Sequence, residues 1–312
     1  MGAVESETPT QTYPTQIDYS TYPPARVFDE WEDIEMKSPA FIRRFVKNVD
    51  TSTRLEYWRK MANPEQYTLK NPDLFQTLCV QAETRKIADE EFKMLCDKID
   101  MDVNRTFPND PLMTEDKRLD LRDILRSFAL LVPKTGYCQG MSFLAGQILL
   151  ITDIPEDSLW IFTFFMKDLN LYGLFSDGLP LLNFAVYCIE WVVNTRITSL
   201  AKYLQQKDAP LVLVVGQWLT ALFSINFQRD VTLKIWDMFL LEGFVWLVKV
   251  SAAFLLIHSD LFNGQIEDII INLRQTTAKD NWRDVARFAD AIVFGEKELK
   301  LCKTNFDQNN SQ

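Results

Sequence analysis

The chain has 312 residues, 47% of them hydrophobic and 12% aromatic, so it can bury a large core and is not disordered as a whole. Its formal net charge of −10 argues against duplex nucleic acid as the main partner and against wholesale adsorption to anionic membranes, because both need clustered cations. The five cysteines, at 79, 96, 138, 188 and 302, form no CxxC pair and read as buried free thiols in a reducing compartment.

Residues 1–27 are rich in Thr, Pro and Tyr, lack apolar periodicity and a secretory signal, and read as a flexible N-terminal tail. The opening MGAVES places Gly2 and Ser6 as an N-myristoylation pattern requires, although Glu5 does not help it. One acyl chain with no polybasic segment behind it gives only weak, peripheral membrane association. The acidic run 29–35 (DEWEDIE) reads as a solvated helix face in preference to a partner mimic. Helix signals then dominate. Pro39 opens a helix over 39–48, and Thr51 or Ser52 caps one through Met61. Pro72 starts another, and Ala82 to Arg105 reads as a single helix. Glu115–Leu131 places Leu119, Leu121, Ile124, Leu125 and Phe128 on one face. Further helices are expected over 138–151, 156–168, 179–194, 211–224, 230–241, 244–258, 266–275 and 280–293.

Strand alternation is scarce, and 10 glycines are few for a turn-rich β protein. The expected fold is all-α: one large multi-helix domain over 28–300, with a second flexible tail over 301–312. The uncharged stretches Thr135–Thr152 and Ala209–Gln228 approach the length of a bilayer span. The stripe of Gln217, Thr220 and Ser224, and the pair Gln139 and Gln147, favour buried helices and no transmembrane segment.

Several chemistries lack their residues. The one histidine, His258, lies in LLIHSDLF and reads as a satisfied core residue. No cysteine cluster accompanies it, so a zinc site is not expected. There is no P-loop, no GxSxG elbow and no Cys–His pair at useful spacing. A stand-alone hydrolase, kinase or dehydrogenase has little support.

Two short stretches do carry chemistry. In IDMDVNRTFP, Ile99, Asp102 and Arg105 fall three apart and share a helical face. Ile99 can pack inward, Asp102 can accept hydrogen bonds from Arg105, and Pro108 stops the helix soon after. Taken alone, this is either a solvated surface pair or an arginine held for use. In GYCQGM, Gln139 sits between Tyr137-Cys138 and Gly140. Its amide can donate and accept, which suits either a buried loop glutamine or a group that orients water. Cys138 has no base partner and reads as a packing residue.

Together with two further elements these stretches are specific. Arg54-x-x-x-Trp58, Ile99-x-x-Asp102-x-x-Arg105 and Tyr137-x-Gln139 occur in this order, followed by Ile235-Trp236-Asp237 and Glu242-Gly243. The chain thereby resembles the TBC-domain family of Rab GTPase-activating proteins, with a motif-bearing core over about 48–245. It departs from the family at 47–52 (KNVDTS), where many members carry a Gly-Ile-Pro-like tripeptide.

The resemblance implies an activator that is not a stand-alone enzyme. Arg105 would serve as an arginine finger and Gln139 as a glutamine finger, supplied in trans to a GTP-bound Rab. Asp102 would orient the Arg105 region, Ile99 and Tyr137 would support it, and Arg54 and Trp58 would brace the fold. Plain core packing is the alternative for Trp58 and Trp236. The protein would need no cofactor of its own, because GTP and Mg²⁺ come with the Rab. Cytoplasmic action in vesicle-mediated transport follows from the same resemblance. The alternatives are a catalytically silent Rab-binding effector and a lipid-anchored trafficking scaffold.

Overall fold

Helices account for every regular element among the described residues, which in this computed structural model are 46–47, 49–63 and 72–310. The tail over 1–27, Gly2, the acidic run 29–35 and most of the expected 39–48 helix lie outside them. The helices are α1 (Thr51–Ala62), α2 (Leu74–Ala88), α3 (Glu90–Arg105), α4 (Glu115–Leu131), α5 (Met141–Thr152), α6 (Pro155–Lys167) and α7 (Pro180–Arg196). They continue as α8 (Thr198–Lys207), α9 (Val212–Thr220), α10 (Arg229–Glu242), α11 (Phe244–Ile257), α12 (Ile266–Thr277), α13 (Trp282–Ala291) and α14 (Glu296–Asn310).

Two helices organise the packing. In the first half, α4 lies against α2, α3, α5 and α6. Its buried face of Leu121, Ile124, Leu125 and Phe128 explains this position. Leu119 does not join that face; it is 42% exposed. In the second half, α11 packs on α7, α10 and α13, and its buried residues run almost all round, as a central helix requires. The halves share one hydrophobic core. Trp58 of α1, Phe165 of α6 and Trp236 of α10 meet there, with ring centroids 5.4–5.9 Å apart.

Several boundaries differ from expectation. Asp50, not Thr51 or Ser52, caps α1, accepting the Thr53 N–H at 2.9 Å. The helix expected over 82–105 is two helices. Asp89 breaks it by accepting the N–H groups of Glu91 at 3.0 Å and Phe92 at 3.2 Å. The two uncharged stretches are likewise interrupted: Gly140 opens α5, and Leu222 and Phe223 take positive φ after α9. Among the described residues no helix is long and apolar enough to cross a membrane.

The C-terminal residues correct the expectation of a tail over 301–312, since α14 continues to Asn310. Cys302 is buried, and the Phe306 ring lies 5.3 Å from those of both Phe184 and Tyr187. Only a sparse seam of apolar side chains docks this helix, which is why its polar sequence hides it.

Candidate functional site

The site is built on the C-terminal end of α3. Asp89 and the acidic first-turn residues Glu90 and Glu91 suit the start of this helix, and Arg105 suits its last turn, in keeping with the helix dipole. Phe92, Cys96, Ile99, Asp102 and Val103 form its buried face. Ile99 anchors that face, and Asp102 follows it one turn later. Arg105, two residues beyond Val103, ends at the rim.

The chain just after Arg105 is firmly held. The Thr106 hydroxyl donates to the Asp102 carbonyl at 2.7 Å and lies 2.8 Å from the Ser142 hydroxyl at the start of α5. Arg118 of α4 donates to the carbonyls of Val103 at 2.8 Å and Thr106 at 3.1 Å, satisfying acceptors that a helix end leaves open. Phe107 takes φ +45° and sets its ring edge-on to Phe143 at 5.4 Å. Gly146 makes room for this approach, since a Cβ there would lie 3.2 Å from the Thr106 methyl.

Asp102 joins two motifs. One carboxylate oxygen pairs with the Arg105 guanidinium, and the other accepts the Tyr137 hydroxyl at 2.6 Å. The Asp102 side chain is 7% exposed, that of Arg105 50%. Burial, then the hydrogen bond to Asp102, push the Tyr137 pKa well up, so the phenol remains a donor.

Tyr137 begins the loop that carries Gln139. The amides of Thr135 and Gly136 donate to the Val132 carbonyl at 3.0 and 2.8 Å, closing the turn after α4. Gly140 takes φ +104° within 3.3 Å, measured from its would-be Cβ, of the Thr220 carbonyl, a position that only glycine fills without strain. The Cys138 thiol donates to the Phe175 carbonyl at 3.2 Å, and burial raises its pKa, which suits packing and not nucleophilic attack. Gln139 itself is exposed. No hydrogen bond among the described residues holds its amide, so it is not a buried loop glutamine.

Arg54 and Trp58 join neither Arg105 nor Gln139. Arg54 Nε donates to both carboxylate oxygens of Asp237, at 3.1 and 2.9 Å, and the Trp58 indole donates to one of them at 2.9 Å. All three residues are buried, so the first and last motifs meet inside the core. Burial pushes the Asp237 pKa up to about 7, against the opposing pull of Arg54 and Trp58. Trp236 packs on Trp58 and donates to the Leu222 carbonyl at 2.7 Å. His258 pairs with Asp280 at 2.8 Å at the end of α11. Among the described residues no group of three His, Cys, Asp or Glu could hold a metal ion.

Sequence reasoning missed Arg118, Thr106 and Ser142, which secure the end of α3. Thr106 alone carried a signal, as the residue directly after the arginine.

Comparison with known proteins places this architecture. Residues 51–262 match the model of the Rab-GTPase-TBC domain. The human ecotropic viral integration site 5 protein homolog is 24% identical over 236 residues, covering 74% of this chain and 27% of that protein. The GTPase-activating protein GYP5 of Saccharomyces cerevisiae is 24% identical over 246 residues, covering 77% and 25%. The chain thus spans about a quarter of the length of these two relatives. The crystal structure of the Chlamydomonas flagellar RabGAP TBC domain aligns with a TM-score of 0.69 at 18% identity, over 82% of this chain and 84% of that one. The Ypt/Rab-GAP domain of Gyp1p gives 0.69 at 18%, over 88% and 95%, so the fold is shared.

Proposed function

The chain belongs to the Rab-GTPase-TBC domain family, and from that premise we propose that it is a GTPase-activating protein for a Rab-family small GTPase. It supplies Arg105 and Gln139 in trans to a GTP-bound partner. The observation that carries this reading is the Asp102 carboxylate, which ties the arginine of one motif to the loop of the other. A buried acid thereby fixes the base of an arginine whose own side chain is half exposed.

Phosphoryl transfer needs positioning and electrostatic stabilisation more than covalent chemistry. On docking, the Arg105 guanidinium exchanges part of its contact with Asp102 for the oxygens of the transferring phosphoryl group. Gln139 positions the attacking water in place of the partner's own glutamine, its amide accepting from the water and donating to the phosphate. GTP and Mg²⁺ arrive with the partner, and Tyr137 keeps Asp102 oriented throughout. An arginine finger is worth about 10³–10⁵ in rate, or about 4–7 kcal/mol of barrier. The setting is the cytoplasmic side of vesicle-mediated transport, with a weak membrane contact if Gly2 is acylated.

The test is single-turnover GTP hydrolysis across a panel of purified, GTP-loaded Rab proteins, with wild type beside Arg105→Ala and Gln139→Ala. The expected result is acceleration of one or a few Rabs that either substitution abolishes. Unchanged turnover by both folded variants would sink the reading. GTP-dependent binding without acceleration by the wild type would replace it with a non-catalytic binding module.

A further inference from the structure

The exposed side of α3 holds a pattern that the two fingers leave unexplained. Met94, Lys98, Met101 and Arg105 recur at intervals of four, three and four, one stripe along the helix. Met94 is 57% exposed and Met101 65%, while Ile99, about 120° round the helix from Arg105, is fully buried, so Ile99 and Arg105 do not share one face as the three-residue spacing suggested. Lys98 is exposed and has no ion-pair partner among the described residues. Across the glutamine loop, the exposed Asp177 is likewise unpaired among them. Apart from burial, the charges felt by the Cys138 thiol include Asp177, which raises its pKa, and Lys98, which lowers it. Asp177 follows Phe175 by two residues, and the Phe175 carbonyl takes the Cys138 thiol at 3.2 Å, so an exposed anion flanks the glutamine loop while an exposed cation, Lys98, stands on α3.

We propose that Met101, Met94 and Lys98 on α3, with Asp177 across the loop, form the surface that selects which GTPase is engaged. This rests on the proposed activity and names the partner's chemistry. The selected GTPase carries an apolar patch beside its nucleotide pocket, an acidic residue facing Lys98 and a basic residue facing Asp177. Distance supports this occupant. At about 1.5 Å per residue, Met101 lies about 6 Å and Lys98 about 10 Å along the axis from Arg105. A standard interface covers about 800 Å² per partner, so a protein that takes Arg105 into its nucleotide site also covers this stripe. Unbranched, polarizable methionine side chains adapt to a partner's shape, and the two charges fix its register.

The experiment measures binding and turnover separately, on Rab proteins loaded with GTP or a non-hydrolysable analogue. Lys98→Glu, Met101→Glu and Asp177→Lys should each raise the Kd and KM for the preferred Rab by about tenfold or more while leaving kcat near wild type. Lys98→Ala should also flatten the salt dependence of association. Arg105→Ala should show the reverse split, with kcat lost and binding retained. Unchanged Kd and KM in all three charge variants, with their helical signal and melting intact, would overturn the proposal while leaving the finger reading standing. Binding of no Rab by the wild type would overturn both. A wild type that binds without accelerating would remove the finger reading alone, and Kd would still decide the surface.

Discussion

Arg54 and Arg105 each meet one aspartate, in opposite surroundings. The Arg54 side chain is 3% exposed and Asp237 fully buried, and Trp58 completes the carboxylate's shell. Desolvating two charges takes back most of what their attraction gives, so the virtue of that pair lies in being complete. It joins α1 to α10 and leaves no hydrogen-bonding capacity of the carboxylate pointing at water. Arg105 keeps half its side chain in solvent and has a single acidic anchor among the described residues. Its charge is cheap to hold and free to be redirected. Exposure, and not residue type, separates the two pairs.

Arg105→Ala should break the comparison most sharply. Acceleration of GTP hydrolysis should fall by about 10³–10⁵, while stability to denaturant should fall less than for Arg54→Ala, because Tyr137 still donates to the buried Asp102 carboxylate. Arg105→Lys should stay close to the alanine variant, because an ammonium lacks the planar fork. Arg54→Ala should do the converse, lowering unfolding free energy by about 3–5 kcal/mol in urea melts, because it strands a buried carboxylate. Its folded fraction should still turn over the Rab.

Tyr137→Phe should be milder. It removes a hydrogen bond to a charged acceptor, worth about 1.5–3 kcal/mol, and should lower kcat more than it raises KM. An unchanged kcat would show that Asp102 needs no second partner.

A pH dependence sharpens the buried side. Asp237 has a folded pKa of about 7 against an ordinary value of 3.8. The folded state therefore holds this proton more tightly than the unfolded chain. The group's contribution is most favourable below its unfolded pKa and is lost as pH rises toward its folded one. Asp237→Asn removes that slope, so the wild type's advantage in Tm should shrink as pH rises through this window. Parallel melting curves would refute the assignment.

Helices with strong local signals were legible from the chain. Glu115–Leu131 has its Thr114 cap, acidic first turn and apolar period, and its limits agree with expectation. The break at Asp89 was not legible, because one capping carboxylate makes it without glycine or proline. Arg105 and Gln139 were named from motifs. The bond that unites them spans 35 residues, from Asp102 to Tyr137, and periodicity carries no trace of such a contact. Arg118 escaped notice for a similar reason: it acts on backbone carbonyls, which have no sequence.

The family match ends at residue 262, yet three helices follow it. Trp282 of α13 lies against Trp246, and Phe306 of α14 covers Phe184 and Tyr187. The folding unit is therefore longer than the recognisable one. A truncation that stops where the motifs stop keeps Arg105 and Gln139 but leaves an aromatic flank open to water, and such a fragment should aggregate before any activity can be read.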